Sequence, residues 1–340
     1  MNDIVIDIHA HYTPALMVDR YDDALGRKTG VTIERTPKGI ELRFPGDAAP
    51  RMVSSSLVDL SARRQWMDAQ GIDHQLVGGW LEIFGYDLPA QAGLAWSRYI
   101  NAGLLEALQE EPRFTALATV PLQDGTLAAQ VLNESLAAGF GGVMIGTLPK
   151  GAGGNLDDPS LDPFWQAASE AQAAVILHPM TFCADSRFDG YGMMNALGRV
   201  EDVSIAVARL LFSGHLLKFP GVKLVLSMGG GTLPYALGRL QKSHANAQGK
   251  VADPEAGFST LYFDSLVFDP NALEYLALKA GAGRIMLGSD APFPMGDPAP
   301  LVVVERSKLA PQEKQAILGG TARAVFRLSG DAAKGRGHST

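Results

Sequence analysis

Short, almost unbroken apolar runs alternate with longer segments of helical spacing along nearly the whole chain. The runs predicted as strands are Ile4–Ile8, Gln75–Gly78, Thr115–Val120, Gly142–Ile145, Ala174–Leu177, Lys223–Ser227, Leu261–Asp264 and Ile285–Gly288. They are rich in Val, Ile, Leu and Met and do not alternate with polar residues, the signature of parallel strands buried on both faces. Helical spacing covers Leu57–Gln70, Pro89–Glu110, Leu127–Ala138, Pro163–Ala171, Ala196–Phe219, Leu233–Ala247 and Pro270–Ala280, with a last helix or pair over Pro311–Leu328. Asp158-Pro159-Ser160 and Asp269-Pro270 are helix-start signals.

Eight strands, each followed by helical sequence, predict an α/β fold, a closed (β/α)8 TIM barrel. An open doubly wound sheet would carry a glycine-rich phosphate turn after its first strand. Here the first strand runs into Asp7-Ile8-His9-Ala10-His11 instead. One stretch breaks the alternation. Residues of about Gly30–Pro45 alternate around Pro37-Lys38-Gly39, which predicts a small β-hairpin inserted after the first strand. It either covers the mouth of the barrel or is a surface hairpin with no catalytic role. The expected organisation is one metal-dependent barrel domain over residues 1–329, with that insertion at about 30–45, and a disordered tail over 330–340.

Composition narrows the class. The chain has 340 residues, 46% hydrophobic and 19% charged, enough for a large buried core. A net charge of −7 repels phosphate backbones, so nucleic acid is not an expected partner. No window nears eighteen uninterrupted apolar residues, and the first residues lack the pattern of a signal peptide. The expectation is a soluble, cytoplasmic protein. The single cysteine, Cys183, reads as an inert small thiol.

Candidate chemistry gathers at strand ends. His9 and His11 are two residues apart on the first strand, so alternation turns both to one face. A bare His-x-His also fits surface histidines. His178 follows the fifth strand, however, and Asp290 follows the eighth, at the rim where barrel enzymes carry their catalytic groups. Three imidazoles and a carboxylate suit zinc, with room for water in an open site. His74, His215 and His244 read as structural.

These residues carry a resemblance. IDIHAHYTP, the segment Arg63–Asp73, Gly141–Thr147, His178-Pro179, FSGHLLKFPGVKLVLSMGGGTLPYALGRL, YFDSLVFDP and Leu287–Gly296 together resemble the aminocarboxymuconate-semialdehyde decarboxylase branch of the amidohydrolase superfamily. The resemblance runs over nearly the whole chain. It implies a (β/α)8 barrel, one Zn2+ or another divalent ion such as Mn2+, a homodimer, and non-oxidative decarboxylation of an aromatic or ring-cleaved acid. Close relatives hydrate or hydrolyse related carboxylates. His9, His11, His178 and Asp290 match the family's metal ligands. Arg51 matches its substrate-carboxylate arginine. Arg239 matches an arginine that reaches the neighbouring subunit's site. Phe293 either lines the pocket as in the family or packs under its loop.

Two departures stand out. The family has His-Gly-Gly-Gly after the sixth strand, where this chain has Met228-Gly229-Gly230-Gly231. The missing histidine is the family's general base, and a thioether cannot accept a proton near neutral pH. Three readings stay open: a natural branch in which another group, Asp290 first, takes the proton; an engineered inactive variant; or a metal-binding homologue with little catalysis. The second departure is the loop Gly78–Pro89, aromatic and apolar, in which Trp80 suits a flat organic ligand. The expected function is therefore a metal-dependent decarboxylase of a small carboxylate, or alternatively a hydrolase or hydratase.

Overall fold

The computed structural model describes residues 4–151, 153–180 and 185–328. The expectations for Cys183 and for the tail over 330–340 lie outside these residues. All eight expected strands are present: β1 (Ile6–His11), β5 (His74–Gly78), β6 (Phe114–Ala118), β7 (Gly142–Gly146), β8 (Ala174–His178), β9 (Lys223–Leu226), β10 (Tyr262–Asp264) and β11 (Ile285–Met286). They pair in parallel in the order β1-β5-β6-β7-β8-β9-β10-β11. The ring closes where Ile8 N donates to Leu287 O at 2.9 Å and His11 N to Ala291 O at 2.8 Å. The α/β barrel is thus the observed architecture.

The strand residues explain their own placement. Every residue of β1, β5, β7 and β8 is buried, as two-sided coverage requires. Removing an aliphatic side chain such as Ile6, Ile176 or Leu226 from water stabilises the fold by roughly 1.5–3 kcal/mol each. Asp side chains close the exposed N–H groups at helix starts: Asp59 accepts from Ala62 N, Asp124 from Thr126 N and Leu127 N, and Asp269 from Asn271 N.

Differences from the expected elements have local causes. The first strand begins at Ile6 rather than Ile4 and continues through both histidines. The expected Leu57–Gln70 helix breaks at Asp59, whose extended backbone (φ −93°, ψ 92°) caps the helix Leu60–Gln70. The Ala196–Phe219 segment divides at Gly214, where φ is +76°. It gives the helix Arg199–Phe212 and a short turn His215–Lys218, preceded by a wide π turn over Met194–Gly198. The inserted hairpin is β2 (Thr32–Thr36) and β3 (Gly39–Arg43), and it gains a third antiparallel strand, β4 (Arg51–Val53). Three residues with one buried side chain, Val53, are too few to announce a strand by pattern.

That small sheet touches the barrel mouth. From β4, Arg51 donates through Nη1 to the carbonyl of Glu82, in the loop after β5. Its guanidinium also sits 4.3 Å from the centre of the Phe44 ring.

Candidate metal centre

The end of β1 delivers two of the site's imidazoles. Asp7, His9 and His11 share the inward face by alternation, and the strand is bulged against β5 between Asp7 and Ala10. His178 is the last residue of β8. Asp290 lies just beyond β11 at φ +59°, and its N–H donates to His9 O at 2.7 Å. The three rings meet at centroid separations of 5.4, 5.0 and 4.9 Å. All four side chains are buried, and one donor atom from each lies within 4.8 Å of the others.

The hydrogen bonds around this cluster orient it. His9 Nδ1 is 2.7 Å from Asp264 Oδ2, His11 Nδ1 is 3.1 Å from Gly79 O, and His178 Nδ1 is 2.8 Å from Pro179 O. With Nδ1 donating outward, each Nε2 turns its lone pair inward. The three Nε2 atoms and Asp290 Oδ1 are buried and satisfied by no hydrogen bond of good geometry among the described residues. Asp290 Oδ1 is nevertheless close to all three, at 3.0 Å from His11 Nε2, 3.5 Å from His9 Nε2 and 3.8 Å from His178 Nε2. Buried polar atoms in such a group would be costly without a common partner. The donor set fits one divalent cation.

Charge in the cluster is divided unevenly. Burial opposes protonation of His9, but the Asp264 hydrogen bond and the fields of Asp290 and Asp7 lift its pKa to about 9. Burial pushes His178 down to about 4 and also lowers His11, against the pull of Asp290. Burial alone would raise Asp290, yet its contacts with His11 and His178 hold it below the ordinary carboxylate range. These directions belong to the cluster without an ion, and a bound dication would favour neutral imidazoles and an ionised carboxylate.

A layer beneath was not singled out from the sequence. Asp7 accepts from Gln75 Nε2 at 2.7 Å and Ser289 Oγ at 2.6 Å, and Gln75 Oε1 accepts from Arg63 at 2.9 Å. Arg63 also donates to the His11 carbonyl at 2.8 Å, fixing the strand end that carries this imidazole. Asp264 likewise accepts from Gly229 N at 2.8 Å, so the β9 loop and the His9 ring share one carboxylate. The strand-end logic that found His178 applies equally to Asp264, and alternation from His9 reaches Asp7. No spacing signal marks Arg63.

The other expected site residues separate. Trp80 and Phe293 line a cavity of 180 Å³ that also meets His178, Glu82 and Arg199. The Phe293 ring centre is 4.9 Å from that of His11. Arg51 is held in a two-bond fork by Asp47, with Nε 2.9 Å from Oδ2 and Nη2 2.8 Å from Oδ1. Arg239 is exposed on the helix Leu233–Asn246. Met228 is half-buried at φ +54°, next to the Gly229 N–H that Asp264 holds. Of the remaining histidines, His74 pairs with Thr115 Oγ1 at 2.8 Å and His215 with Asp162 at 3.2 Å, both away from the centre.

A ring of eight parallel strands with three imidazoles and a carboxylate converging at its C-terminal rim defines a metal-dependent (β/α)8 barrel. A sequence profile of the amidohydrolase family matches residues 6–328, and the chain belongs to that family. It is 30% identical over 281 residues to the 2-amino-3-carboxymuconate-6-semialdehyde decarboxylase of Dictyostelium discoideum, covering 80% of this chain and 77% of that one. The fold is similar to that of 5-carboxyvanillate decarboxylase from Sphingomonas paucimobilis (TM-score 0.80, 24% identity, 96% of this chain and 100% of the other). It is also similar to a dihydroxybenzoic acid decarboxylase from Polaromonas, solved with manganese and 2-nitroresorcinol (TM-score 0.77, 22% identity, 98% and 99% covered). No helix among the described residues is long and apolar enough to cross a membrane.

Proposed function

We propose that this protein is a metal-dependent, non-oxidative decarboxylase, a carbon–carbon lyase acting on a small aromatic or unsaturated carboxylic acid. One observation carries the reading: three buried imidazole Nε2 atoms and an Asp290 oxygen converge within 4.8 Å, each imidazole aimed by its own Nδ1 contact. His9, His11, His178 and Asp290 would hold the ion. Zinc and manganese both suit three nitrogens and an oxygen. Kinship with the Dictyostelium decarboxylase supports the reaction type.

A divalent ion held there supplies Lewis-acid polarisation of the substrate. The chain's own groups do the rest. Trp80, Phe293, Pro179 and Met295 line the cavity beside His178 with largely apolar surface, which suits a flat ring and keeps water out. The scissile C–C bond breaks, carbon dioxide leaves, its bonding pair stays on the ring carbon, and that carbon takes up a proton. Met228 has no proton to give. We assign the transfer to Asp290, whose ionised carboxylate borders all three imidazoles: it first accepts the proton of the substrate's acidic group and then delivers that proton to the ring carbon. We further propose a cytoplasmic homodimer. The exposed Tyr235 and Arg239, on one helix, favour a contact between copies.

The test is product analysis of the manganese- and zinc-loaded protein with a panel of ring acids. One carbon dioxide released per substrate consumed is expected. Consumption without carbon dioxide would turn the assignment to hydrolysis or hydration. No turnover of any ring acid by a fully metal-loaded sample would leave a metal-binding homologue.

A further inference from the structure

Three arginines come into question for gripping a substrate anion, and their surroundings distinguish them. The Arg51 fork is already closed on Asp47. Arg239 is exposed on its helix. Arg199 lies inside the cavity shared with His178, Trp80 and Phe293. It follows the π turn Met194–Gly198 directly, a distortion that often re-aims side chains at functional sites. Its Nε is buried and has no hydrogen-bond partner among the described residues.

We infer that Arg199 grips a second, non-reacting anionic group on the substrate, so that the pocket selects ring acids bearing two negative groups. The inference rests on the decarboxylase reading of the same cavity and sharpens it. Arg199 is half-buried, but its buried Nε–H without an acceptor is costly, and a carboxylate or phenolate is the acceptor a planar guanidinium fork matches best. The cavity also limits the ligand's size. At 180 Å³ it has room for one substituted ring, since an engineered cavity of about 150 Å³ takes up benzene. Glu82 lines the same wall. Burial raises its pKa, while the fields of Arg199 and Arg51 pull it back. The carboxyl therefore weakens the positive field around Arg199, and a ligand anion near the guanidinium must outcompete it. Asn195, one turn before Arg199, adds an amide to that wall and can donate to the same anion.

Calorimetry on the full-length, manganese-loaded protein tests this with benzoate and the three benzenedicarboxylates as probes. At least one dicarboxylate should bind more tightly than benzoate. Arg199→Met should weaken that dicarboxylate about 10- to 100-fold, the worth of a charge-assisted contact, and leave benzoate within about twofold. Arg199→Lys keeps the charge without the fork, and should give a smaller loss of the same selectivity. It carries the test if the Met variant does not fold. Arg51→Met should leave the dicarboxylate-to-benzoate ratio unchanged. Three results overturn the inference: no dicarboxylate preferred by the parent, a ratio unaffected by either Arg199 variant, or a ratio lost in Arg51→Met instead. Failure of the decarboxylase reading looks different. Dicarboxylate selectivity would then depend on Arg199 while no ring acid releases carbon dioxide.

Discussion

His9 Nδ1 lies 2.7 Å from Asp264 Oδ2, with His9 fully buried and Asp264 almost so. The pair joins β1 to β10, with β11 between them in the ring, and fixes which imidazole nitrogen faces the candidate metal centre. Asp264 also holds Gly229 N, at 2.8 Å, so one carboxylate sets both the His9 ring and the loop after β9. Outer carboxylates of this kind orient a metal-bound histidine and raise its basicity. Asp264→Asn keeps the shape and removes the charge. It should lower metal affinity about 10- to 100-fold, read by competition with a chelator. An unchanged affinity would mean that His9 is not a ligand.

Met228, which the sequence resemblance matches to the family's histidine, sits at φ +54°, a conformation that histidine tolerates better than an unbranched apolar side chain. Met228→His should therefore fold normally. If the missing base limits turnover, the variant should release carbon dioxide faster, by up to about 10²–10⁴-fold, the usual worth of a positioned acid–base group. A rate equal to the parent's, with metal content equal, would assign the proton transfer to another group.

Gly288 is where two carboxylate-bearing strands pass. A Cβ built there would approach Asp264 Cβ to 2.8 Å and His9 Cβ to 3.1 Å. Gly288→Ala should destabilise the protein by about 1–3 kcal/mol, seen as a lower denaturation midpoint. Metal affinity should fall with it, because the displaced atoms belong to the His9–Asp264 pair. A variant with parental affinity would show that this pair tolerates displacement.

His74 gives the stability a pH dependence away from the metal. Burial pushes its pKa down to about 4, against the ordinary 6.5 that the unfolded chain regains. Between those values the unfolded state binds the extra proton, so stability falls as pH drops from about 6.5 towards 4. The full span is on the order of 3 kcal/mol, from about 1.4 kcal/mol per pKa unit. Denaturant melts of His74→Gln should show a shallower loss than the parent over that window. Parallel curves would mean that folding does not lower the His74 pKa.

The chain's pattern alone specified a great deal. Eight apolar runs without alternation, each followed by helical sequence, point to strands covered on both sides, and the absence of a glycine-rich turn after the first favours a closed barrel over an open sheet. Four ligand candidates were legible because each sits at the end of such a run: His9 and His11 on β1, His178 on β8 and Asp290 past β11. Tertiary structure decided what one-dimensional spacing does not encode. Asp264 lies 255 positions from His9, and no periodicity links them. Arg51 carries the right chemistry for a carboxylate, but the fold gives its fork to Asp47. Arg199 lies in an ordinary helical stretch, and only the π turn before it and the packing of the barrel rim bring it beside His178. Periodicity reports which face of an element is buried, whereas a side chain's partners depend on where distant elements meet.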